Sequence, residues 1–386
     1  MTPGARVAAA IEVLQDMDEG LAAEQALTRW ARRSRFAGSK DRAAVRDHVF
    51  DVLRCRRSAA HYGKAETPRA LMIGLLHAQG ADLSALFSGE GHAPQPLSPQ
   101  ELVFPDAPQD RAVLWNLPDW LLPHFEEALG DAAEATALAL QDRAPVHLRV
   151  NVARVERAQM VDQLAAEGIT VKLNPVAPTA LTVTGGARQV RNSSAYLDGL
   201  VELQDGASQA VVAELPDGDR MLDFCAGGGG KALAMAALPG RAVFAHDIDP
   251  GRMSDLPARA ARAGATVRPL ATGDLAAAGP FDVVLCDAPC SGAGAWRRAA
   301  EGKWTLTPDR LAALGGVQDA ILDQAMGLVA PGGTLAYATC SVLRIENEDR
   351  VAAFLQRHPG WHCTFERRFP VDDQGDGFYT AHLKRV

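Results

Sequence analysis

The sequence predicts an α/β protein whose C-terminal half is a doubly wound parallel sheet, preceded by an all-helical region and a small α+β segment. Three observations carry this. From about residue 200, short apolar runs alternate with helical stretches, the pattern of strands crossed over by helices. Residues 5–86 keep apolar side chains at helical spacing throughout. The chain has 386 residues, 47% of them apolar and 22% charged, which is globular and too long for one ordinary domain.

In order along the chain, "ARVAAAIEVLQ" and "DRAAVRDHVFDVLRCRRSAAHY" read as helices, and "ALMIGLLHAQG" stops at a glycine. Residues 87–110 then bring five prolines without a clear period, the mark of a linker or long surface connection. Helix returns over 111–142. Between about 145 and 200, "VHLRVNV", "ERAQMVDQLAAEG", "ITVKL" and "ALTVTG" form a βαββ pattern too small to be a catalytic core. Five core strands follow: "RMLDF", "RAVFAHDID", "ATVRPL", "FDVVLCDAP" and "GTLAYATC". The predicted segments are 1–90, 91–142, 143–200 and 201–386.

No run of 18 uninterrupted apolar residues exists, so no membrane span is expected. The first twenty residues carry acids where a secretory signal needs an apolar centre, and a cytoplasmic location follows. Six cysteines, at 55, 225, 286, 290, 340 and 363, show no framework spacing and no Cys-x-x-Cys pair, which argues for free thiols and against zinc; no metal is expected. The net charge of −8 conceals a local reversal: Arg29 to Arg57 holds ten Lys/Arg against three Asp. That stretch is either a solvated helix face or a phosphate-contacting surface.

Ligands of open α/β sheets bind beyond the carboxyl ends of the strands, so those ends were read for chemistry. "MLDFCAGGGGKA", Met221 to Ala232, is a glycine loop after the first core strand. It is no P-loop, because the first glycine and the final Ser/Thr of that motif are absent. Gly227-x-Gly229-x-x-Ala232, with Asp247 twenty residues beyond Gly227, fits a dinucleotide fingerprint and an S-adenosylmethionine loop equally well. The fourth strand ends in Asp287, Pro289 and Cys290, and the fifth in Cys340. A nicotinamide enzyme has no need of that cluster, but a pyrimidine methylase does. Carbon 5 of cytosine becomes nucleophilic only after a thiolate adds to carbon 6, with an acid near N3 supporting the addition.

The stretches "LQDGASQAVVAEL", "LDFCAGGGGK", "AHDIDPGRM", "DVVLCDAPCSGAGAWRR", "KW" at 303–304, "ATCSVLRIENED" and "DGFYTAHLKR" closely resemble, in order, the Sun/RsmB family of RNA cytosine-5 methyltransferases. Residues 1–90, with "GSKDRAAVRDHVFDVLR", are similar to the NusB-type helical RNA-binding domain, and "LRVNVARVERAQMVDQLAAEGI" resembles the small domain preceding the family's catalytic core. The fold so implied is a class I Rossmann-like S-adenosylmethionine methyltransferase core behind an all-α NusB-like domain and a small α+β domain.

The resemblance also implies roles. Cys340 is the expected nucleophile, and Cys290 assists release of the covalent product. Residue chemistry alone leaves these two unranked, since DNA cytosine methylases use a Pro-Cys thiol. Asp287 contacts the cytosine ring near the methyl donor. Cys225, Ala226, Gly227, Gly228, Gly229, Gly230 and Lys231 line the methionine and ribose of S-adenosyl-L-methionine. Asp247 holds the ribose hydroxyls and Asp274 sits by the adenine. Lys231 meets the cofactor carboxylate or an RNA phosphate. Read from the residues themselves, Trp296 and Arg297-Arg298 are candidates to stack an extruded base and hold phosphates, with plain core the competing reading of Trp296. The expected partner is RNA, 16S rRNA before tRNA, and the expected state a monomer. The rival classes are a dinucleotide oxidoreductase and a non-catalytic RNA-binding assembly factor. One departure stands out: the family's usual Cys-Ala-Ala-Pro-Gly-Gly-Lys-Thr has Gly227-Gly228 here for Ala-Pro and Ala232 for Thr.

Overall fold

A computed structural model describes residues 1–385 as two compact units. The first comprises residues 1–126, 130–143 and 296–305; the second comprises 127–129, 144–295 and 306–386. No helix among the described residues is long and apolar enough to cross a membrane.

The first unit is helical. Helix α1 (Pro3–Asp18) starts where the Thr2 hydroxyl caps the Ala5 amide and Pro3 takes the first turn. It buries Val7, Ala10, Val13 and Leu14 on one face. Against these pack Ala26, Leu27 and Trp30 of α2 (Ala23–Arg33), and Val45, Val49 and Val52 of α3 (Ser39–Arg54). Helix α4 (Arg56–Gly63) lies so close to α5 (Pro68–Ala78) that a Cβ on Gly74 would stand 1.9 Å from the Ala59 carbonyl oxygen. The helical expectation for 5–86 holds, with the long basic helix broken at Cys55. Residues 111–126 and 130–143 belong to this unit.

So do residues 296–305, which follow the Asp-Ala-Pro-Cys stretch. Trp296 is 1% exposed and stacked on Phe125 at 6.1 Å between centroids, and Arg297 is buried. Of the two readings of Trp296, base-stacking and core, this is the core one: its ring is closed in the unit and stacked on Phe125. Glu301 accepts the Ala23 amide at the start of α2, and Trp304 Nε1 donates to the Leu53 carbonyl. Lys303, also 1% exposed, donates to the Arg54 carbonyl at 2.7 Å.

The second unit holds two sheets. The small one comprises β1 (Val146–Val150), β2 (Thr170–Leu173), β3 (Ala180–Gly185) and β4 (Val201–Leu203), in the order β2-β3-β1-β4 and all antiparallel. Strand β4 was not predicted, and it carries this sheet past residue 200. The large sheet comprises β5 (Arg220–Asp223), β6 (Ala242–Ala245), β7 (Val267–Pro269), β8 (Phe281–Asp287), β9 (Val329–Thr339), β10 (Trp361–Phe369) and β11 (Phe378–Arg385). Its order is β10-β11-β9-β8-β5-β6-β7. The five predicted strands are present and parallel. The pure parallel expectation fails at the end, where β11 runs antiparallel to β9 and β10 to β11. Their charged residues, from Glu366 to Arg368, masked the strand signal of β10 at the sheet edge. The order reverses between β5 and β8, and the carboxyl ends of those strands open the crevice typical of this topology.

Burial depresses Lys303 to about 7, with Arg54 adding to the effect and only Cys55 opposing it. The unfolded chain keeps this proton up to pH ~10.4, so between about 7 and ~10.4 it binds more protons than the folded one. The contribution of Lys303 to stability therefore rises with pH across that window, by at most ~1.4 kcal/mol per pH unit. Thermal midpoints of wild type and Lys303→Met, measured from pH 6.5 to 9.5, are expected to diverge in favour of wild type as pH rises. A constant difference would contradict it.

Candidate active site

The glycine loop leaves β5 and enters the helix α6 (Gly230–Ala236). Two extra sheet bonds carry it past the strand: Phe224 N–H to the Leu285 carbonyl and Ala226 N–H to the His246 carbonyl, both 2.8 Å. Gly227 takes φ +51° and donates its amide to Asp247 Oδ2 at 2.8 Å. Gly229, at φ +77°, packs where a Cβ would stand 2.4 Å from Leu256 Cδ1. The glycines thus give the loop its left-handed turn and its close approach to the next crossover.

Asp247 is buried at the end of β6, where it also accepts the Asp249 amide and pairs with Arg252 at 3.1 Å. Ile248 beside it is 81% exposed. His246 bridges the Phe224 carbonyl and Thr272 Oγ1. Asp274 stands exposed on the turn after β7, and Thr272, two residues earlier, lines the cavity.

The cavity measures about 550 Å³. It runs from Cys225–Gly228, Asp247, Ile248 and Thr272 to Asp287, Pro289, Cys290 and Cys340, with Val317 and Ile321 in one wall. That size suits a nucleoside carrying an amino-acid tail.

Lys231 belongs to the first turn of α6. Its Nζ donates to Asp287 Oδ2 at 2.6 Å and lies 5.1 Å from the centre of the Phe378 ring. Burial alone would depress Lys231, but the charges of Asp287 and then Asp223 outweigh it and hold the ammonium above its usual value. The lysine is therefore committed to Asp287. Asp223, last residue of β5, is 1% exposed, and its carboxylate oxygens have no hydrogen-bond partner among the described residues. Burial first, then the charge of Asp287, push its carboxyl up to about 7.

The two cysteines converge. Strands β8 and β9 pair in parallel, with Asp287 opposite Ala338, and the Ala288 amide donates to the Ala338 carbonyl. Cys290 and Cys340 follow on the two emerging loops, with Sγ atoms 3.4 Å apart. The hydrogen bond shared with Cys340, burial, and the charges of Cys340 and Glu346 push the Cys290 thiol well up. Burial likewise raises Cys225 and Cys286; Cys286 is closed off in the core, as expected, while Cys225 borders the cavity.

Beneath the sulfurs lies Glu346, fully buried. Its carboxylate accepts the Ser291 amide at 2.7 Å, the hydroxyls of Ser291 and Ser341, and Gln318 Nε2 at 3.2 Å. Asn347 Nδ2 donates to the Ser341 carbonyl, and the Thr339 hydroxyl to Asn347 Oδ1.

Sequence reasoning missed Asp223, Ile248, Thr272 and Glu346. Asp223 had a usable signal, an acid ending the first core strand. Glu346 had none: nothing in "RIENED" separates it from Glu348 and Asp349, which pair with Arg368 and Arg344.

In the first unit, most of the basic stretch is spent locally. Arg29 and Arg33 pair with Asp16, Arg46 with Glu24, Arg54 with Asp51, Arg56 with Glu66 and Arg57 with Asp119. Arg32, Arg35 and Lys40 are exposed and make no ion pair among the described residues, and Phe36 between them is 77% exposed. The phosphate-contacting reading therefore narrows to the turn between α2 and α3.

Residues 210–384 match the family model for 16S rRNA methyltransferase RsmB/F, and residues 117–190 match the model for its ferredoxin-like domain. The probable ribosomal RNA small subunit methyltransferase B of Bacillus subtilis is 35% identical over 66% of this chain and 59% of its own length. The corresponding Xanthomonas campestris protein is 35% identical over 70% of this chain and 66% of its own length, and the Synechocystis one 30% over 70% and 67%. The chain thus spans about two thirds or less of the curated relatives it matches. Among solved structures, one titled PH0851 superposes at TM-score 0.75 over 100% of this chain and 99% of that chain, with 20% identity. A methyltransferase homolog from Pyrococcus horikoshii superposes at 0.62 over 75% of this chain and 100% of that one, with 23% identity; at these identities both speak for the fold. The family implies S-adenosylmethionine as cofactor, and the cavity fits it, with a buried acid at the end of β6, an exposed apolar side chain beside it and the glycine turn opposite. The chain belongs to the RsmB/F family.

Proposed function

We propose that this protein transfers a methyl group to carbon 5 of a cytosine in 16S rRNA through a covalent bond from Cys340 to carbon 6. The observation that carries it is the pair of sulfurs 3.4 Å apart, at one end of a cavity that also holds the ion-paired Asp287. The match to RsmB/F methyltransferases argues against the oxidoreductase reading of the glycine loop. The rRNA assignment rests on the names of the relatives; tRNA is the alternative substrate.

S-adenosylmethionine, when bound, supplies an electrophilic methyl group. Cys225 to Gly228, Asp247, Ile248 and Thr272 would hold it. Cys340 Sγ adds to C6 of the cytosine, and Asp287 supports that addition at N3. Its pairing with Lys231 keeps the carboxyl group in one orientation. C5 then has the electron density of an enamine and takes the methyl group. Loss of the C5 proton expels the thiolate and restores the ring. The closeness of Cys290 to that leaving sulfur supports giving it the release step. A base within a duplex cannot meet a thiol, so the target is an unpaired or extruded cytosine. The free cations around Phe36 support a docking role for the first unit, with phosphates on the cations and a base on the ring.

Methyl transfer from labelled S-adenosylmethionine to unmodified 16S rRNA tests this. Cys340→Ala is expected to lose transfer by about 10³-fold or more. Cys290→Ala should instead accumulate an RNA adduct that survives a denaturing gel. Full activity in Cys340→Ala would overturn the assignment. A wild type that binds RNA yet methylates neither rRNA nor tRNA would favour the assembly-factor reading.

Lys231→Met should leave Asp287 unpaired and lower transfer by about 10²-fold or more. Unchanged turnover in that variant would remove the ion pair from the mechanism. Replacing Arg32, Arg35 and Lys40 together by Gln is expected to lower the salt-dependence slope of RNA binding by about 2, if each meets one phosphate. An unchanged slope would move the docking surface elsewhere.

A further inference from the structure

We propose that Glu346 is a positioning residue that sets the distance between the two sulfurs, acting through the serine that follows each cysteine. This rests on the reading above, in which both sulfurs act on one base. The direct backbone link between the two emerging loops is the Ala288–Ala338 bond at their base, and the Gly294 amide returns to the Cys340 carbonyl only after the cysteine turn is complete. Between those two points the Cys290 loop is held by Glu346. One of its oxygens takes the Ser291 amide, and the other takes the hydroxyls of both Ser291 and Ser341. Gln318 completes the set, and its Nε2 also donates to the Pro289 carbonyl at 3.0 Å, so a third element grips the same turn.

The chemistry of the side chain is specific. Four donors converge on one carboxylate, and a buried carboxylate needs such a set to offset its lost hydration. Glutamine has one acceptor oxygen: with that oxygen on the Ser291 amide and Gln318, its Nε2 replaces the oxygen that now receives both serine hydroxyls, which would have to turn from donors to acceptors. Aspartate is one methylene short of the serines. The spacing matters because the second thiol must act at an atom adjacent to the one the first thiol holds. An error of about 1 Å there costs on the order of 10²-fold.

The test is a measurement of sulfur proximity that needs no RNA. Diamide oxidises a close dithiol to a disulfide, two protons and two electrons passing to its N=N bond as the S–S bond forms. The rate of Cys290–Cys340 linkage is followed by peptide mapping of the full chain, for wild type and Glu346→Gln. The variant is expected to link at least about tenfold more slowly, and to lose kcat with KM for S-adenosylmethionine unchanged, because Glu346 does not border the cofactor cavity. Equal linkage rates in folded protein overturn the proposal. If Glu346→Gln does not fold, the Ser291→Ala/Ser341→Ala variant is read in the same way. Fast linkage in wild type and slow linkage in the variant, with no methylation by either, would sustain the positioning role while removing the enzymatic reading. Wild-type methylation matched by a variant that links and methylates equally well would remove the positioning role alone.

Discussion

The parallel pairing of β8 with β9 is the constraint on which the site depends. Two thiols fifty residues apart in sequence can share one substrate atom pair only if their strands are neighbours and end at the same height. The register of Asp287 opposite Ala338 meets both conditions, and the fully buried Val283 to Cys286 and Leu335 to Ala338 make that register costly to slip. A shift of one residue would turn Cys286, now sealed in the core, toward the cavity. The apolar runs that look like ordinary core are therefore what aims the chemistry.

Charge burial follows from the same geometry. The ends of β5 and β8 bring Asp223 and Asp287 close enough to raise the first, and only Lys231 is at hand to balance them. Two acids with one buried lysine leave Asp223 near neutrality, with no hydrogen-bond partner among the described residues. Such a group is a cost to folding that Lys231 offsets only in part, and it sits beside the loop proposed here to hold a cationic cofactor. A positive charge arriving there would lower the Asp223 carboxyl and recover part of that cost, which links cofactor binding to stability.

Much of this was legible in the chain. The five parallel strands were, because strands buried on both faces read as unbroken apolar runs. The cysteines and Asp287 were, because strand ends are where α/β folds do chemistry. Strands β10 and β11 were not: β10 is the edge strand, half facing solvent, and its arginines and glutamate break the pattern, while β11, though buried, carries polar Thr380 and His382 within its apolar run. Trp296 could be read two ways for a related reason. An aromatic followed by two arginines looks like a base-binding motif, and only its stacking on Phe125, more than a hundred residues away in sequence, shows it to be core.

The glycine loop was the most conspicuous motif and the least decisive. Its glycines express a backbone requirement, a left-handed turn and a close helix approach, that any nucleotide-binding α/β fold shares. Chemistry is specified by side chains, and those that the proposed reaction uses are single residues on separate elements: Asp287, Cys290, Cys340 and the buried carboxylate of Glu346. The replacement of Ala-Pro by Gly227-Gly228 fits this division. Gly227 adopts φ +51°, which glycine meets without strain, and the amide it contributes to Asp247 comes from the backbone. The loop can thus change its side chains and keep its turn, whereas in the proposed reaction the acid that receives its amide and the sulfurs across the cavity act through their side chains.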